Sequence, residues 1–260
     1  MSDRRVRLVE RLHGLCAGLA AHVAVRELTM GLGYTAVALE DGGVGLAYTW
    51  LEGKECCSFA RGLDEVEGGP ASVLVDRLLS ADALERSVGL AAVNALNHRA
   101  ALSLPRDVGP AGSLVRELGI TAGTAVGMVG YCPPVARVLE DLGATLDVVD
   151  DARRRGDRAA FEAKLGDGID VLVMTSTTLL NDTADELLSR VGAGVRVALL
   201  GPSTPLLPEA FEGTAVSLLA GMAVADTGAV LRAVRHGAGT PQLQRFSRKV
   251  YAVCGAGGRA

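Results

Sequence analysis

The chain reads as an α/β protein, in which a small α+β segment is followed by a doubly wound parallel sheet. Three observations predict this. Residues 124–150, TAVGMVGYCPPVARVLEDLGATLDVVD, read as one complete strand–turn–helix–strand unit. Further apolar runs at 170–174, 195–200 and 215–219 alternate with helical segments, as a parallel sheet with crossover helices requires. The first hundred residues lack that alternation and carry hairpin and helix signals instead. Pro105, Gly109 and Pro110 break any periodicity in 102–112, so two domains are expected, over residues 1–108 and 109–260.

Taken in order, residues 3–21 carry Val6, Leu8, Val9, Leu12, Leu15 and Leu19 at helical spacing, which predicts an amphipathic first helix. The leading arginines resemble the start of a signal peptide, but Glu10, Arg11 and His13 interrupt the apolar run. Residues 23–30 and 35–40 are strand-like, Asp41-Gly42-Gly43 is a hairpin turn signal, and 44–50 returns as the next strand. Residues 52–69 are polar and glycine-rich, hold Cys56 and Cys57, and read as a loop. A helix follows over 72–80. Asp82 with Glu85 three residues on is a capping-box pattern for another helix, to about Ala100. Residues 113–118 read as a short helix. In the central unit the apolar strand 125–129 ends at Gly130. Pro133 and Pro134 suit a first helical turn, where a missing N–H leaves nothing unpaired. Val135, Val138, Leu139 and Leu142 mark the apolar side of that helix, Gly143 ends it, and 145–149 is the second strand. Arg153, Arg154 and Arg155 form a basic loop. Then come a helix around 161–165, a strand at 170–174, a polar loop at 175–183 and a helix at 184–191. A strand at 195–200, a loop at 201–205, a short strand at 215–219 and a final helix at 226–235 complete the pattern.

Composition narrows the function classes. A net charge of −4 and only 3% aromatic residues argue against a nucleic-acid footprint, which needs a clustered basic face or stacking platforms. No apolar run is long enough to span a bilayer. Five cysteines without a C-x-x-C pair support neither a disulfide framework nor structural zinc, so a cytoplasmic setting is expected. His13, His22, His98 and His236 match no metal-ligand spacing.

Three loops follow strands on one edge of the expected sheet: 130–134, 175–183 and 201–205. A right-handed crossover sets them at the carboxyl ends of the strands, where open α/β sheets bind ligands. Their small, hydroxyl and amide groups can donate to a polar or anionic ligand. The candidates are Gly130, Tyr131 and Cys132 in the first loop, Thr177, Thr178 and Asn181 in the second, and Ser203 and Thr204 in the third. Asn94 can reach the same place from the N-terminal segment. A helix cap explains one of Asn181, Asp182 and Thr183 but not four consecutive hydroxyls at 175–178. Gly127–Gly130 is not G-x-G-x-x-G, and the prolines remove N–H donors where a pyrophosphate would sit, which disfavours NAD. Asp150, twenty residues after Gly130, stands where a ribose-binding carboxylate of a nucleotide cofactor would stand, or simply ends a strand in solvent. Cys132 has no sequence-local base and reads as an inert thiol. The adjacent Cys56 and Cys57 point apart and do not suit one metal together. Ser203 lies outside any G-x-S-x-G elbow. No catalytic residue emerges.

The motifs GLGYTAV at 31–37, GLAYT at 45–49, VGLAAVNA at 88–95, VGY at 129–131, TSTTLLNDT at 175–183, GPSTP at 201–205 and LAG at 219–221 together resemble the DUF364 family with its DUF4213 N-terminal domain. The resemblance covers nearly the whole chain. It implies an enolase N-terminal-like domain followed by a Rossmann-like domain, with a cleft between them. It also implies a role with heavy metals or metal chelates that is itself an inference for the family. The family often has an aromatic where Cys132 stands, so no cysteine chemistry transfers to that position.

The leading reading is a protein that binds a small polar or anionic ligand, such as a heavy-metal ion or metal chelate, between two domains. Because this chain lacks an evident protein-only ligand set, a chelated metal would bring many of its own donors. The alternative is a Rossmann-type enzyme with a nucleotide-bearing cofactor such as S-adenosylmethionine, with Asp150 on the ribose. A structural partner protein, homo-oligomeric through the cleft, is the third.

Overall fold

The computed structural model describes residues 6–51 and 62–255. Cys56 and Cys57, and most of the loop expected at 52–69, lie outside the described residues. The chain is a mixed α/β protein with a three-stranded antiparallel sheet and a six-stranded, mostly parallel one.

Helix α1, Leu8–Ala20, buries Leu8, Leu12, Cys16 and Ala20 at four-residue spacing and leaves Leu15 and Leu19 about half exposed. Its first turn is tied down twice. Glu10 accepts from the Arg7 amide at 3.0 Å, and Asp185, from a distant helix, accepts from the Leu8 amide at 3.2 Å. Strands β1 (Val25–Met30), β2 (Tyr34–Leu39) and β3 (Val44–Tyr48) form the small sheet in order β1-β2-β3. The expected helix at 72–80 is α2 (Ser72–Val75) tightening into a 3-10 turn, Asp76–Leu79. Asp82 caps α3 (Ala83–Leu96) by accepting from the Leu84 amide at 2.7 Å, while Glu85 turns to Arg77 at 2.6 Å instead of closing a capping box. That helix ends before Ala100, because Asn97 leaves helical geometry at ψ 1°, and α4 (His98–Ser103) restarts beyond it.

α3 lies directly on β3. Gly45 allows this approach, since a Cβ there would come within 2.2 Å of the Ala91 carbonyl oxygen. All six residues of β2 are buried, because its other face is covered as well. The cover is α9 (Thr227–Arg235), whose Val230, Leu231 and Val234 pack with Tyr34, Ala36 and Ala38.

The large sheet holds β4 (Ala125–Val129), β5 (Thr145–Val149), β6 (Val171–Thr175), β7 (Arg196–Leu200), β8 (Val216–Val224) and β9 (Ser247–Val253), in order β5-β4-β6-β7-β8-β9. All pairs are parallel except β8–β9. Alternation along β6 sends Val171 and Val173 to one core, with Met128 and Leu139. Leu172 and Met174 go to the other, with Phe161 and Phe211. Burial on both faces explains why these strands read as unbroken apolar runs. The second core continues without a break into Leu8, Leu12, Leu74 and Leu90 of the N-terminal half. Helices α5 (Gly112–Glu117), α6 (Pro133–Asp141), α7 (Arg158–Glu162) and α8 (Ala184–Arg190) accompany the sheet.

Two expectations are corrected. The helix over 226–235 is not the last element, since α10 (Thr240–Leu243) and β9 follow it. The strand expected at 215–219 extends to nine residues, because β9 pairs along it through Gly221 to Val224. The segment between the two halves is also tied: the Asp107 amide donates to the Lys249 carbonyl at 2.9 Å.

Candidate functional site

The chain leaves β4 for β5 on one side and returns to β6 on the other, which makes the gap between β4 and β6 a topological switch point. The Gly130 turn and the 3-10 turn Ser176–Leu179 border it. Gly130 has φ +83°, and a Cβ there would come within 2.6 Å of Thr175 Cγ2, so the missing side chain lets the two turns touch. Its amide donates to the Val149 carbonyl at 2.8 Å.

Asp150 organises the next turn. Its side chain is 11% exposed and accepts from the Tyr131 amide at 2.9 Å and the Arg153 amide at 3.0 Å. Arg153 returns a guanidinium hydrogen bond to the Tyr131 carbonyl. The Arg155 guanidinium stacks over the Tyr131 ring with its central carbon 4.0 Å from the centroid. Cys132 caps α6 with no side-chain hydrogen bond, and Pro133 and Pro134 occupy the first helical positions. The start of this helix therefore offers no free N–H from those two residues to an anion.

The second loop splits into structural and open groups. Thr178 is 1% exposed and donates back to the Thr175 carbonyl at 2.8 Å, and the buried Ser176 bonds Thr204 at 2.5 Å. Thr177 is half-buried, with its hydroxyl 3.2 Å from that of Thr175. Asn181 accepts from the Thr183 hydroxyl at 2.7 Å and its amide at 3.3 Å, and so shapes the entry to α8. The neighbouring Asp182 is approached by Arg7 at 3.5 Å.

The third loop joins the two halves. Ser203, 2% exposed, accepts from the Tyr48 amide at 2.8 Å. Thr204, equally buried, donates to the Ala220 carbonyl at 2.9 Å. Asn94 donates to the Leu46 carbonyl at 2.8 Å and the Ser203 carbonyl at 3.2 Å. The cavity beside Asn94, Asn97, His98 and Thr204 has a volume of only about 10 Å³, room for a single water. Ser203, Thr204, Asn94 and Thr178 thus fix the loops, while Gly130, Tyr131, Cys132 and Thr177 remain at the open rim.

Opposite that rim stands an aromatic run that the sequence reading missed. Tyr34 pairs with Tyr48 across the β2–β3 ladder, and their rings meet edge-to-face at 6.0 Å. Trp50 continues the contact at 6.1 Å from Tyr48. The Tyr34 hydroxyl bonds Thr240 at 2.6 Å. Burial raises the Tyr34 pKa, the Thr240 bond opposes this, and Tyr48 and Cys132 push it up further. The usable signal was scarcity: of four tyrosines and one tryptophan, two tyrosines and the tryptophan gather here.

Among the described residues no group of three His, Cys, Asp or Glu side chains could hold a metal ion. His13 bonds Asp76 at 2.8 Å and His98 the Val224 carbonyl at 2.8 Å, far apart in the chain and in separate contacts. Burial lifts the Cys16 thiol to about 11 and the Cys254 thiol to about 12, so neither is a ready thiolate. The described residues alone therefore offer no set of side-chain donors for a bare metal. Asp147, Lys164 and Gly168 line a second cavity, of about 290 Å³, at the opposite end of the strands.

The fold is that of a two-sheet α/β protein with polar turns at the carboxyl ends of a parallel sheet. Residues 114–253 match the DUF364 family and residues 15–97 match DUF4213, both described as "Putative heavy-metal chelation". The chain belongs to the DUF364 family. It is 26% identical over 255 residues to the uncharacterized protein MJ0500 of Methanocaldococcus jannaschii, covering 92% of this chain and 94% of that one. Two crystal structures of DUF364 proteins with unknown function share the fold. The Pyrococcus horikoshii protein has a TM-score of 0.79 at 23% identity, over 95% of this chain and 100% of its own. The Desulfitobacterium hafniense protein has a TM-score of 0.77 at 22% identity, over 95% and 97%.

Proposed function

We propose that this protein binds a small anionic or polar molecule, with a heavy-metal chelate as the favoured class, in the crevice between its two sheets. The observation that supports it is that the turns holding Gly130, Tyr131, Cys132 and Thr177 border the switch point, with Gly130 lying directly against Thr175. The family description supplies the metal. The donor set favours a chelate over a bare ion, because a chelate brings its own ligand atoms and needs only orientation and hydrogen bonds from the protein.

Titration calorimetry with Fe(III), Ni(II), Co(II) and molybdate, each free and as its citrate complex, tests this. The expected result is binding of complexes and none of the free ions. Absence of heat with every complex would remove the proposal. The nucleotide-cofactor alternative requires Asp150 to engage a ribose, and its carboxylate already accepts from Tyr131 and Arg153. A melting-temperature rise with S-adenosylmethionine, abolished by Asp150→Ala together with an unchanged melting point for the free variant, would revive it.

A further inference from the structure

The loop after β5 ends in arginines that are not used alike. Arg153 is anchored to the Tyr131 carbonyl and to Asp150, and Arg158 pairs with Asp151 and Glu162. Arg155 has neither a carboxylate nor a carbonyl on its guanidinium among the described residues. Its guanidinium instead stacks on the Tyr131 ring, at 4.0 Å. Its backbone is pinned by a two-way bridge with Asp150, each N–H···O at 2.9 Å. Arg155 is thus held at its base by the bridge and along its plane by the ring, with its donor edge open beside the switch point. A stacked guanidinium keeps its fork oriented and matches an oxyanion with two parallel hydrogen bonds. The prolines of α6 remove the backbone donors that would otherwise take such a group here, so a side chain has to supply them.

We infer that Arg155, stacked on Tyr131, reads a carboxylate or phosphate group of the bound molecule. This inference rests on the crevice being the ligand site, and it narrows the ligand to one carrying a free oxyanion.

Calorimetry on the full chain tests it with three probes: Fe(III)–citrate, inorganic pyrophosphate, and the uncharged tris(acetohydroxamate) complex of Fe(III). Each is titrated into the wild type, Arg155→Gln and Arg155→Lys, after thermal melts confirm that the exposed substitutions fold. The expected result is binding of at least one anionic probe, weakened about 10- to 100-fold by Arg155→Gln and less by Arg155→Lys, as loss of a charge-assisted pair implies. Citrate alone would mark a carboxylate reader, and pyrophosphate alone a phosphate reader. Equal binding of the neutral complex, or an Arg155→Gln affinity equal to wild type, would overturn the inference and leave the crevice standing. Binding of no probe would overturn both.

Discussion

Arg86 offers a sharp test of how the two halves are joined. It sits on α3, 6% exposed, with no carboxylate paired to it among the described residues. Its Nε donates to the Leu180 carbonyl at 2.5 Å and one Nη to the Ser80 carbonyl at 2.7 Å. The first bond reaches from the N-terminal half into the loop that follows β6. Replacing Arg86 with Met keeps the methylene stem and removes the charge and both donors. Two charge-assisted bonds are worth roughly 3–6 kcal/mol gross, and relief of the buried charge's desolvation offsets part of this, leaving a net loss of about 2–4 kcal/mol. Against a total stability of about 5–15 kcal/mol, the variant still folds and its urea midpoint falls measurably. Hydrogen exchange adds the location, since amides in residues 177–183 exchange faster in the variant while those of β4 do not. Arg86→Lys falls between the two, because an ammonium cannot serve both carbonyls in the guanidinium's geometry. A Met variant within about 0.5 kcal/mol of wild type would refute the reasoning, since surface substitutions without a structural role lie in that range.

Other outcomes follow from single contacts. Gly130→Ala places a Cβ 2.6 Å from Thr175 Cγ2 at φ +83°, and is expected to lose about 2–4 kcal/mol in a thermal or urea melt. Iodoacetamide at pH 8 followed by peptide mass spectrometry should modify the half-buried Cys132 in the native protein, and reach Cys16 and Cys254 only after unfolding. The Cys16 thiol is raised from 9.0 to about 11, so the unfolded thiol ionises first. Its contribution to stability is complete below pH 9 and is lost as pH climbs through 11, and Cys16→Ala should flatten that part of the stability curve relative to wild type.

Central strands such as β4 and β6 were legible because burial on both faces leaves an almost unbroken apolar run, and residues 125–129 and 145–149 are β4 and β5 without a shift at either end. β9 was not legible. Its sequence SRKVYAV opens with three consecutive polar residues at a sheet edge, and its partner β8 is disguised by Gly221 in mid-strand. The four hydroxyls of 175–178 did lie at a strand end, yet Ser176 and Thr178 point inward to Thr204 and the Thr175 carbonyl. Sequence shows which residues can donate but not which way a 3-10 turn aims them. The Arg86–Leu180 bond depends on tertiary approach between residues 94 positions apart, which no local period encodes.

The same crosslinks bear on how the proposed ligand would enter. Arg86 to Leu180, Asn94 to Ser203, Asn97 to Leu206 at 2.7 Å, and the Tyr48 amide to Ser203 all span the two halves. Swinging the halves apart would break four such bonds, each about 1 kcal/mol net or more. It would also part the core in which Leu12 and Leu90 belong with Phe211 and Leu199. Exposing even a few of those side chains costs about 1.5–3 kcal/mol apiece. A hinge that opens and shuts around the ligand is therefore far more expensive than side-chain motion at the rim, where Tyr48 is 39% exposed and Arg153 57% on its side chain. Small-angle scattering should find a radius of gyration near about 18 Å that stays constant on adding Fe(III)–citrate. A contraction of more than about 1 Å would mean that the halves move as bodies, and that bonds drawn here as fixed staples belong to one state of a switch.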